Sequence, residues 1–136
     1  MSALTKDRDT KEKSGQKLGA PAAATKKFYA GAIVMLDASG NATPGATATT
    51  LKPGGRCCEQ VDNSSGAAGD ETVEYEKGVF HFANSTSTDE ITRADITNNC
   101  YVVDDQTVAK TSGSNTRSIA GKIFDVDDAG VWVDFR

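Results

Sequence analysis

The sequence predicts a mainly β fold: a small β-sandwich or barrel over residues 28–136, a flexible N-terminal arm over residues 1–27, and at most one short helix. Three observations lead there. The 13 glycines, with abundant Thr, Ser, Asn and Asp, break the apolar residues into short runs, the pattern of many strands joined by turns. The composition changes at Phe28, before which no aromatic residue occurs. Several apolar runs alternate or end at Asp, Asn or Gly, which suits half-buried strands rather than helices. A chain of 136 residues has room for one ordinary domain.

Residues 1–27 hold little apolar surface and an Ala/Pro-rich stretch, GAPAAAT, at 19–25. Burial there does not offset an ordering cost of roughly 1–2 kcal/mol per residue, so the arm is expected to order only on a partner. From Phe28 a strand is expected around Ala32–Leu36, ended by a turn built from Asp37, Ser39, Gly40 and Asn41. ATATTLKPGG reads as a loop, Arg56–Val61 as a strand, and Asp62–Asp70 as a Ser/Gly-rich surface loop. In TVEYEKGVFHF, Val73 and Tyr75 share one face, yet Phe80 and Phe82 fall on the opposite parity. A bulge near Lys77–Gly78 would bring the phenylalanines back to the core and turn His81 outward. Thr92 with Asp95 three residues on resembles a capping box, which predicts a single helical turn. Further strands are expected at about 100–104, 107–111, 118–126 and 130–135.

The motif V-D-D-x-x-V occurs twice, at Val103–Val108 and Val126–Val131. Paired carboxylates do acid–base work only when both point into one cleft. Consecutive strand residues point to opposite faces, so Asp104 with Asp105, and Asp127 with Asp128, read as turn formers whose side chains accept local backbone N–H groups. The sequence contains no G-x-S-x-G, H-E-x-x-H, phosphate-binding loop or G-x-G-x-x-G. No catalytic, cofactor-binding or metal-binding residue is assigned, and the chain reads as a non-enzyme.

Three cysteines, Cys57, Cys58 and Cys100, without C-x-x-C spacing, argue against both a disulfide framework and a zinc knuckle. They read as small buried hydrophobes. A reactive thiol would have only His81 to serve as a histidine base. Residues 1–27 carry seven basic against three acidic residues, while residues 28–136 carry eight against sixteen. An acidic body argues against nucleic acid as a ligand. No apolar run approaches the roughly 20 residues that span a bilayer, so no membrane contact is expected, and the polar start lacks the apolar core of a secretory signal. The expected place of synthesis is the cytoplasm.

AGAIVMLDASGNATPG, CCEQVDNSSGAAGDETVEYEKGVFHF, ITRADITNNCYVVDDQTVAKT and AGKIFDVDDAGVWVDF, in that order, resemble small bacteriophage capsid decoration (cement) proteins. The matching stretches are Val61–Gly66, Glu74–Phe80, Tyr101–Val108 and Ala120–Val133, and residues 1–27 contribute very little. The resemblance implies a compact β-domain on the outside of an expanded phage capsid, without cofactor. Its partner would be the major capsid protein, it would often act as a homotrimer, and extended termini would pair with capsid strands. On that reading the arm residues Lys6, Arg8, Lys11, Lys13, Lys17, Lys26, Lys27, Phe28 and Tyr29 are the candidate capsid contacts. Backbone pairing around Lys26–Ala30 would hold the arm. Trp132 opposes the Val131–Val133–Phe135 face of the last strand and is the candidate contact between copies. The rival expectation is a tail or fibre module that stacks a host glycan on Tyr29, Tyr75, Tyr101 or Trp132.

Overall fold

A computed structural model describes residues 2–11, 13 and 15–136; Met1, Glu12 and Ser14 of the expected arm lie outside the described residues. The described residues form twelve strands: β1 Lys17–Pro21, β2 Lys26–Phe28, β3 Ile33–Leu36, β4 Ala42–Pro44, β5 Lys52–Cys57, β6 Val61–Asn63, β7 Thr72–Glu76, β8 Val79–Asn84, β9 Asn99–Val102, β10 Thr107–Ala109, β11 Ile119–Asp127 and β12 Gly130–Asp134. Five of them close a barrel in the order β10-β8-β12-β11-β9, with β9 returning to β10. All its pairs are antiparallel except β10 with β8. A five-stranded sheet, β1-β7-β5-β3-β4, and a two-stranded ribbon, β2-β6, form the rest. The fold is mainly β, as the sequence predicts, and among the described residues its helical content is two 3-10 turns, Ser87–Asp89 and Arg93–Asp95. The second carries the expected Thr92–Asp95 capping box.

Strand β3 organises the molecule. Ile33 and Met35 point into the barrel core with Phe82, Val102, Val108, Ile123, Val131, Val133 and Phe135. Val34, on the opposite face, joins Phe28, Ala20, Ala22, Cys57, Val73 and Tyr75 in a second core. The run Ala32-Ile33-Val34-Met35 shows no polar alternation because both faces of the strand are covered. The same wall explains Gly54 and Gly55 on β5, in a stretch that reads as loop. A Cβ on Gly55 would overlap the Glu76 carbonyl of β7, and one on Gly54 would meet the Val34 carbonyl of β3. Glycine lets the three backbones approach.

The arm boundary is corrected. The folded body begins at Lys17, not Phe28. β1 pairs with β7 from Lys17↔Glu76 to Pro21↔Thr72, and Ala20 and Ala22 are buried. Alanines give little hydrophobic signal, but here Ala20 and Ala22 pack in the second core with Val73, Tyr75 and Phe28, while Pro21 is exposed. β2 is likewise internal, paired with β6 through Lys26↔Asn63, Lys27↔Asp62 and Phe28↔Val61. Residues 2–11 and Lys13 have neither helix nor strand and are exposed.

TVEYEKGVFHF is also revised. The change of parity sits at Lys77–Gly78, as expected, but through a break between β7 and β8, which belong to different sheets, not through a bulge within one strand. Val73 and Tyr75 serve the second core and Phe82 the barrel, with Phe80 half-buried between Phe135 and the Arg56 guanidinium. The loop after β6 is tied down by Asn63. Its side-chain amide, buried, donates to the Ala23 and Ala67 carbonyls, and Asp70 accepts from Ala67 N–H.

Candidate interaction surface

Both Asp pairs turn the chain. Asp104 lies between β9 and β10, where its Oδ1 accepts Gln106 N–H at 2.9 Å. Asp127 heads the β11–β12 hairpin, where Oδ1 accepts both Ala129 and Gly130 N–H at 2.9 Å. The register puts the two turns at opposite ends of the barrel, because β10 runs parallel to β8 and β12 antiparallel to it. Asp105 is half-exposed and Asp104 and Asp128 are exposed at their respective turns.

Asp127 does more than turn the chain. Its Oδ2 accepts the Trp132 indole N–H at 3.0 Å, and His81 Nε2 lies 3.1 Å from its Oδ1. Trp132 stands between Asp125 of β11 and His81 of β8 in the cross-strand register, and the His81 and Trp132 rings meet edge to face at 4.9 Å. Trp132 therefore faces outward, as expected from its position opposite Val131, Val133 and Phe135, and it is 36% exposed. His81, Trp132 and the two turn N–H groups together hold the Asp127 carboxyl at about 2, against an ordinary 3.8. A carboxyl lowered on folding stabilises the fold above its unfolded pKa, and that contribution is lost as pH falls from about 4 towards 2. Asp127→Asn is expected to reduce stability at neutral pH and to flatten its fall across that window. Urea midpoints measured from pH 7 to pH 2 check this; an unchanged acid limb in the variant would refute it.

The second surface is the edge of the five-stranded sheet. Lys77 N–H donates to Gln16 O at 2.6 Å and Ala22 N–H to Glu71 O at 2.8 Å, so the even-numbered residues of the β1 segment bond towards β7. By antiparallel alternation, the N–H groups of Lys17 and Gly19 and the carbonyls of Lys17, Gly19 and Pro21 point away from β7. Among the described residues nothing pairs with them. A groove of about 680 Å³ lies over β1 and β7, lined by Lys13, Lys17, Leu18, Gly19, Glu59, Thr72 and Glu74.

The nine candidate capsid residues do not form one surface. Lys6, Arg8, Lys11 and Lys13 lie in the exposed segment before β1, and Lys17 opens β1. Lys26 and Lys27 are exposed on β2, where the Lys27 ammonium sits 5.3 Å from the Tyr29 ring centroid. Tyr29 is 54% exposed. Phe28 is fully buried in the second core and offers no contact surface. The backbone of Lys26–Phe28 is paired with β6 on one side. With Lys17, Lys26 and Lys27 assigned to folded strands, the segment before β1 keeps four basic against three acidic residues and is close to neutral. The open edge of β1 escaped the sequence reading because its alanines and glycine carry no alternation.

The cysteines are unpaired with one another. Burial raises the Cys57 and Cys58 thiols and pushes Cys100 up to about 12, while Cys57 and Cys100 donate to the Glu59 and Gly121 carbonyls. His81 is engaged with Asp127 and Trp132, not with a thiol. Among the described residues no three His, Cys, Asp or Glu side chains gather as a metal site. Comparison with protein-family models, curated proteins and solved structures finds no match to this chain.

Proposed function

We propose that this protein is a structural capsid decoration protein, which binds the outer surface of a phage capsid and bridges neighbouring major capsid subunits. The observation that carries the reading is the unpaired β1 edge, lying next to an exposed N-terminal segment on an acidic body. An extended capsid segment would add to this edge as a further strand, with two donors and three acceptors of β1 fixing its register. Lys13 and Lys17 would border it, and Lys6, Arg8 and Lys11 would extend the contact. Pro21 and the shortness of β1 limit how far such pairing runs, which also guards the free protein against indiscriminate edge association.

Each contact of this size is modest. Trimers placed at capsid three-fold positions would repeat it by symmetry, so that release of one arm leaves the others engaged and dissociation of the whole is slow. The motif resemblance, which covers most of residues 28–136, supports the same reading.

The test is the copy number of this protein in purified virions, measured against the major capsid protein by peptide mass spectrometry. A number comparable to the capsid subunit is expected. Absence, or a few copies per particle, would overturn the decoration reading in favour of the tail or fibre alternative.

A further inference from the structure

Four of the nine aromatic rings have a cation near them. The Arg56 guanidinium lies 4.6 Å from the Phe80 centroid, Arg136 lies 6.0 Å from exposed Phe124, Lys27 lies 5.3 Å from Tyr29, and Lys77 lies 6.0 Å from Tyr75. Trp132 has the ring best suited to such contact, yet among the described residues no cation lies over it. It is held in place from two sides, by its N–H bond to Asp127 and by the His81 ring. A ring fixed in this way loses little freedom when a ligand is seated on it.

The charge around it is one-sided. Asp125 is neutralised by Arg93, but among the described residues no lysine or arginine pairs with Asp127 or Asp128. We infer that the outer face of β8-β12-β11 around Trp132 is a docking surface for an arginine or lysine side chain presented by a partner protein. The cation would stack on the indole in the field of Asp127 and Asp128. Two other occupants fit less well. A sugar stacked on Trp132 would need nearby acceptors for its hydroxyls, and Asp127 already takes hydrogen bonds from Ala129, Gly130, Trp132 and His81. Two copies of this face would bring like-charged carboxylates together, which opposes a symmetric self-contact. Such a partner need not be a capsid, so this surface stands or falls apart from the β1 edge.

Trp132 is the one tryptophan of the chain, so its emission reports the site directly. The experiment titrates full-length protein with a hexa-arginine peptide and, in parallel, with hexacitrulline, which keeps the side chain's shape and three of its five N–H donors but lacks the charge. Expected is a saturable change in Trp132 emission with the arginine peptide, absent with citrulline and weakened by salt. Calorimetry with Trp132→Leu is expected to show affinity reduced about threefold or more, and Trp132→Phe an intermediate loss that keeps the test informative if the leucine variant folds poorly. Equal affinity in the tryptophan variants would mean binding to net charge alone and would overturn the site. So would an equal response to hexacitrulline, a saturable response to glucose or galactose in place of the peptide, or an emission change with protein concentration alone.

Discussion

Deletion of residues 2–23 is expected to unfold the second core, whereas deletion of residues 2–11 is expected to leave the melting temperature unchanged. The longer deletion removes β1 and with it Leu18, Ala20, Ala22 and Ala23 from the surface of Phe28, Val34, Val73 and Tyr75. At about 0.8 kcal/mol per buried CH₂ the lost contacts are on the order of 4 kcal/mol, a large part of the roughly 5–15 kcal/mol that holds a domain together. It also leaves β7 with one free edge and exposes the backbone groups that now pair from Lys17↔Glu76 to Pro21↔Thr72. Thermal melts of the two truncations, with hydrogen exchange over Thr72–Glu76, give the comparison. A boundary at Phe28 would make both deletions harmless, so equal melting temperatures would refute the fold described for β1.

Phe28→Ala is expected to cost about 3–5 kcal/mol, while Tyr29→Ala, one residue on, stays within about 0.5 kcal/mol. Phe28 is fully buried at the centre of the second core, against Val34, Val73 and Tyr75, and its removal leaves a cavity that strands paired on both sides cannot close. Tyr29 is mostly exposed, and its visible partner is the Lys27 ammonium. Urea unfolding of the two variants separates a core residue from a surface contact. A small effect at Phe28, accompanied by a loss of partner binding, would restore it as a docking residue.

The elements legible in the sequence were those whose signal is local. The capping box at Thr92, the Asp turns at 104 and 127, and the parity break at Lys77–Gly78 each depend on neighbours within a few positions. So did the outward face of Trp132, fixed by simple alternation along β12. What was missed rests on distant partners. Ala20 and Ala22 form a strand because Val73 and Tyr75 lie beside them, and Lys52–Gly55 extend because the backbones of β3 and β7 approach too closely for side chains. Asp127, His81 and Trp132 were each noticed separately. Nothing in their spacing of 46 and 5 residues announces that one carboxylate holds both rings.

Because β3 presents Ile33 and Met35 to one core and Val34 to the other, neither half has a complete wall without it. Heat or denaturant that frees this strand opens both interiors at once. The molecule should therefore melt as one cooperative unit, with the single tryptophan in the barrel and Tyr75 in the other half reporting the same midpoint.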